Sequence, residues 1–119
     1  MNFAEHVAKG RQHLFDTMVN HLRKQQAQSH LGMAGCAYRG NDGLKCAVGC
    51  LISDDEYLPE MEGSSLSQLE LAEQINDSET TELLEAFQMA HDQVRIDYWE
   101  LEFKRLAEKF NLTYTEPSL

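Results

Sequence analysis

Apolar residues in the first part of the chain recur at helical spacing. Phe3, Val7, Leu14, Phe15, Met18 and Leu22 share one face of a helix drawn over residues 3–28, with Gly10 its one weak point. Asn2 followed by Glu5 reads as a capping box, each side chain serving the other's main-chain N–H. The pattern changes at Cys36. From there to Ile52 the chain reads as a β-hairpin around Asn41-Asp42-Gly43, residues that tolerate a tight bend. Two loop lengths fit. A two-residue loop puts Arg39 on the face of Leu44, Cys46 and Val48. A three-residue loop, with Asn41 and Asp42 helical and Gly43 left-handed, gathers Cys36, Tyr38, Leu44, Cys46 and Val48 on one face. It leaves Ala37, Arg39, Lys45 and Ala47 on the other. A slip of one residue exchanges the faces of a strand, so the cleaner partition favours the three-residue loop.

The second half returns to helical periodicity. Ser53 with Glu56 starts a short helix that Pro59 limits. Ser65 with Gln68 opens another over Leu66, Leu69, Ala72 and Ile75. Asn76-Asp77-Ser78 breaks and recaps the chain ahead of a helix carrying Leu83, Leu84, Phe87 and Ala90 or His91. A last helix runs to about Phe110 with Tyr98, Trp99, Leu101, Leu106 and Phe110 as core candidates, and Asn111 suits a left-handed end. Residues 112–115, Leu-Thr-Tyr-Thr, are β-prone and available as a third strand. The fold class expected is α+β: a mainly helical single domain over residues 1–119, built on a hairpin at about 36–49.

Charge changes the picture more than composition does. The net charge is −10, but residues 53–102 hold fifteen acidic side chains against Arg95 alone, a net of −14. Such asymmetry orients encounters with charged partners and disfavours this half as a nucleic-acid surface. No run of 18 apolar residues marks a membrane span. The first ten residues mix Glu5, His6 and Lys9 where a secretory signal would be apolar. Three cysteines without a disulfide-dense pattern point to reduced thiols and a cytoplasmic setting.

Cys36-Ala-Tyr-Arg-Gly40, then Gly43-Leu-Lys-Cys-Ala-Val-Gly-Cys-Leu-Ile52 and the acidic turn ending at Tyr57, resembles a group of small proteins of phages, prophages and bacteria. Ala90-His91-Asp92 and Trp99 before a final helix extend the likeness, which spans most of Cys36 to Tyr114. The resemblance implies a phage-type accessory protein and carries over no catalytic residue. Asn111 stands where the group's pattern has glycine, and both suit a left-handed cap.

Four constellations carry candidate chemistry. Cys36, Cys46 and Cys50 with His30 make a Cys3His set of zinc-ligand type, but buried thiols explain the same cysteines as small apolar side chains. Cys50 with His91 and Asp92 has the residue types of a thiol nucleophile, its base and an orienting group, without a local signature. The acidic block offers a partner-binding face on which Glu82 and Glu85 are prominent; solvated helix faces are its structural alternative. The outer hairpin face presents Arg39 and Lys45, with Asp42 at the tip. The histidines His6, His13 and His21 do not repeat at i,i+4 and read as helix decoration.

The sequence thus supports a non-enzymatic, acidic accessory protein that binds a cellular protein, with Arg39, Asp42, Lys45, Glu82 and Glu85 as contact residues. It requires no cofactor or metal. The alternatives are a cysteine-dependent enzyme or Cys3His module, and nucleic-acid binding through Lys9, Arg11, Arg23, Lys24, Arg39 and Lys45.

Overall fold

A computed structural model describes residues 1–31 and 37–117. It corrects the expected fold class. The chain is all-α: among the described residues there is no β-strand, and neither the hairpin nor a third strand at 112–115 forms. Four α-helices lie among the described residues: α1 (Phe3–Ala8), α2 (Arg11–Gln25), α3 (Ser78–Gln93) and α4 (Trp99–Phe110), with short 3-10 turns between α2 and α3 and another, Ile96–Tyr98, ahead of α4.

The single helix expected over residues 3–28 is two. Gly10 takes φ +96°, a value outside the range open to helical residues and tolerable without a Cβ. The break turns α1 back along α2. Asn2 and Glu5 do form the reciprocal cap, at 2.8 and 2.9 Å. The cap of α3 is Asp77, which accepts from Thr80 N at 3.1 Å and from Thr80 Oγ1 at 2.7 Å. Asn111, at φ +58°, closes α4 in the left-handed conformation. Residues 53–57 make a turn rather than a helix: Glu56 Oε1 accepts from Ser53 N and Ser53 Oγ, both at 3.1 Å, and from Phe3 N at 2.9 Å. The helix expected after Ser65 is two 3-10 turns, Leu66–Gln68 and Glu70–Gln74, which bury Leu66, Leu69 and Leu71.

Three long helices share one aromatic core. Phe15 of α2 meets Phe87 of α3 edge-on at 5.5 Å; Phe87 stacks on Phe103 of α4 at 5.7 Å; Trp99 completes the row against Phe103 and His91. All five side chains are buried. Truncating one such ring to alanine costs about 3–5 kcal/mol. The buried face of α4 is Trp99, Phe103, Leu106 and Ala107. Tyr98 and Leu101, expected in the core, are 55% and 65% exposed. Leu101 lies two residues from both Trp99 and Phe103, which is about 200° around a helix.

The segment that looked like a hairpin is an embedded loop. One antiparallel bridge survives, Arg39 with Lys45, in the register of a three-residue loop. Asp42 is left-handed as well as Gly43, at φ +61° and +75°, where Asp42 was expected helical. The ladder stops there because its main-chain groups have other partners. Glu62 accepts from Tyr38 N at 2.9 Å and Arg39 N at 3.0 Å. Gln25 reads the Lys45 peptide from both sides: Lys45 N donates to Oε1 at 2.9 Å, and Nε2 donates to Lys45 O at 2.8 Å. Val48 N donates to Gln88 Oε1 at 2.9 Å, and Ala37 N to Ser29 O at 2.9 Å. The alternation of faces fails accordingly. Tyr38, Cys46 and Val48 are buried, but so are Ala37 and Ala47 from the other parity. Leu44 is only half-buried, and Cys36 lies outside the described residues. The segment after α4 repeats the device: Gln12 accepts from Thr113 N at 2.8 Å and donates to Thr113 O at 3.0 Å.

Candidate partner-binding face

The residues expected to bind a partner fall into two groups that the fold does not merge. Arg39 belongs to the interior of its own loop. Its guanidinium lies over the Tyr57 ring at 4.8 Å, donates to Ile52 O at 3.0 Å and pairs with Asp54 at 2.7 Å. Tyr57 in turn donates to Glu62 at 2.6 Å; with burial, that contact pushes its phenol up to about 12. Arg39 is thus a loop fastener. Lys45 is half-buried with its peptide held by Gln25 and by His21 Nε2. Asp42 is exposed at the tip.

Glu82 and Glu85 are exposed on α3. They share an open groove of about 280 Å³ between α3 and α4 with Ala86, Met89, Glu102, Arg105 and Lys109. None of Arg39, Asp42 and Lys45 lines it. Helical spacing explains the stripe: Glu82, Glu85, Ala86 and Met89 stand at i, i+3, i+4 and i+7. Met89 is 59% exposed. Helical phase was the signal that could have found it: Met89 stands about 200° around the helix from Phe87, off the face that Leu83, Leu84 and Phe87 assign to the core.

Much of the acidic block is engaged elsewhere. Glu100 receives a two-pronged contact from Arg23, at 2.8 and 2.7 Å, and the Tyr114 hydroxyl at 2.7 Å. The Arg23 hydrogen bond holds the Glu100 carboxyl below its ordinary range. Glu102 pairs with Arg105 on α4, Asp77 with Arg11 at 3.0 Å, and Glu79 with Arg11 at 3.3 Å. Asp55, Glu60, Glu70, Glu73, Glu82 and Glu85 have no ion pair among the described residues. Of these, Glu82 and Glu85 share a groove with an exposed apolar side chain. The basic side chains of the nucleic-acid alternative are reduced in the same way: Arg11, Arg23 and Arg39 each have a carboxylate partner.

The thiol readings meet specific geometry. Burial pushes both Cys46 and Cys50 up to about 12. Cys46 Sγ accepts from Gly49 N at 3.3 Å, and the Cys50 thiol donates to Ala47 O at 3.1 Å. As free thiols both stay protonated at neutral pH, and the thiolate is the form that attacks. His91 is fully buried. Its Nε2 accepts from Ser29 N at 3.0 Å, which leaves Nδ1 as the protonated nitrogen, 2.8 Å from Asp92. The lone pair that a general base needs is therefore already in use. Cys36 of the Cys3His set lies outside the described residues, and among the described ones no three His, Cys, Asp or Glu side chains cluster to hold a metal.

No helix among the described residues is long and apolar enough to cross a membrane. No protein-family model matches the chain, and neither a curated protein nor a solved structure shows significant similarity to it.

Proposed function

We propose that this chain is a small, non-enzymatic accessory protein of the cytoplasm that docks a basic protein partner along the outer face of α3. The observation that carries this is the groove between α3 and α4, where the unpaired carboxylates Glu82 and Glu85 flank the exposed side chain of Met89. An apolar anchor ringed by charge gives a partner both buried area and orientation. In the groove lining Glu82, Glu85 and Glu102 outweigh Arg105 and Lys109, which disfavours a phosphate backbone and favours lysine and arginine. The phage-type resemblance of residues 36–57 agrees with an accessory role.

The test is charge reversal at constant fold. Glu82→Lys with Glu85→Lys should abolish salt-sensitive capture of a host protein, while reversal of Glu70 and Glu73, exposed elsewhere, should leave it intact. Melting should be nearly unchanged in both, since exposed substitutions away from structural contacts stay within about 0.5 kcal/mol. Equal capture by the two double variants would defeat the proposal.

A further inference from the structure

We infer that His6 and His13 form a two-histidine site for a divalent late transition-metal ion, with copper(II) the cation it fits best. On one continuous helix these residues, seven apart, would be stacked two turns from each other, roughly 10 Å along the axis. The break at Gly10 folds α1 back and brings them together. His6 Nδ1 lies 2.9 Å from His13 Nε2, and the rings are 5.2 Å apart at 19°. Both are half-buried, so the pair is held yet reachable from solvent.

The 2.9 Å separation is that of a hydrogen bond between the two rings, and a cation would take the place of the shared proton. Imidazole nitrogens suit zinc, nickel and copper, and among these divalent ions copper(II) binds a given nitrogen site most tightly.

The protons are consistent with this. Thr17 Oγ1 donates to His13 O at 2.7 Å. The 2.9 Å contact shares one proton between His6 Nδ1 and His13 Nε2. On metal binding the ring that holds this proton moves it to its other nitrogen, so no net proton is released. Burial first, then His13 and the amino terminus, hold His6 below its ordinary range, against the opposing pull of Glu5 and Glu56. Glu5 and Glu56 favour a cation there, and the amino terminus opposes it. Among the described residues no third His, Cys, Asp or Glu completes the set, so the other positions belong to water or an external donor.

Untagged full-length protein titrated with copper(II) chloride at neutral pH, followed by calorimetry and electron paramagnetic resonance, tests this. The result expected is one equivalent bound with nitrogen hyperfine structure, weakened at least about tenfold by His6→Gln and by His13→Gln, with His30→Gln unchanged. A second measurement needs no variant. In proton spectra of the native protein, substoichiometric copper(II) should broaden the His6 and His13 imidazoles first. Affinity unchanged in both variants, or broadening that spares His13, would overturn the inference.

Discussion

Removing one side-chain amide should undo the mimicry of a sheet. Gln25 makes three contacts to main chain: Lys45 N to Oε1 at 2.9 Å, and Nε2 to Lys45 O and to Ala27 O, each at 2.8 Å. Gln25→Leu keeps a side chain of similar length and helix propensity at the last position of α2, so packing and helix content are little disturbed. Lys45 O retains His21 at 2.8 Å. The Lys45 N–H and the Ala27 carbonyl lose their only partners among the described residues. A buried group left unsatisfied costs about 1–3 kcal/mol, and both sites are half-buried, so water recovers part of each loss. The expected destabilisation is about 2–3 kcal/mol, or roughly 6–12 °C in Tm for a chain of this size. Gln25→Glu distinguishes geometry from bulk. Its carboxylate still accepts from Lys45 N but faces two carbonyl oxygens without a donor. Folding raises its pKa, so the variant should recover stability as pH falls through the carboxylate range. Urea unfolding followed by circular dichroism gives the energies, and hydrogen exchange at the Lys45 amide gives the local effect. A Gln25→Leu variant within 0.5 kcal/mol of wild type, with Lys45 still protected, would refute the reasoning.

The glycines of the embedded loop should separate strain from clash. Gly49→Ala places a Cβ 2.1 Å from Tyr38 O and should unfold the loop or cost more than about 3 kcal/mol, whereas Gly43→Val, at φ +75° in open space, should cost roughly 1–2 kcal/mol by strain alone; thermal melts of the two compare them. Cys46, buried with its thiol held at about 12, should react with a thiol reagent only as fast as the protein opens, and a fast-reacting Cys46 identified by mass spectrometry would contradict its placement. Because Arg23 lowers the Glu100 pKa, that pair contributes stability above the unfolded carboxylate pKa of about 4.3 and loses it as pH falls through the lower folded value. Arg23→Ala should therefore remove part of the acid-dependent loss seen in unfolding curves between about pH 5 and 3, and an unchanged pH profile would count against it.

Features that depend on neighbours in sequence were legible, and features that depend on distant partners were not. Asn2 with Glu5, Asp77 and Asn111 act within a few residues of themselves, so their spacing alone identifies them. Residues 37–48 alternate like a strand, but the groups that decide their conformation are Gln25, Glu62 and Gln88, which lie 20 to 40 residues away. A glutamine that replaces a neighbouring strand leaves the same local pattern as a strand. The β-propensity of Leu112-Thr113-Tyr114 failed for the same reason, because Gln12 supplies the pairing. In α4 the face was set by Phe103 and Ala107, and assigning Leu101 to the core mistook hydrophobicity for phase. The i,i+3 spacing of Glu82 and Glu85 was legible, but the groove they share with Met89 and α4 was not. The engagement of Arg39 by Tyr57 and Asp54 was not, because it depends on how the loop folds over itself. The meeting of His6 and His13 depended on a helix break that periodicity alone understated.

The central functional claim is that the partner sits on the α3–α4 groove, and a hydrogen-exchange footprint of the captured complex tests it most directly. The account predicts slowed exchange confined to the amides of residues 79–89 and 102–109, weakening together as salt rises through 0.1 M, where exposed charges are screened within about 10 Å. A footprint on residues 39–45 or along α1 and α2, with α3 unchanged, would contradict it.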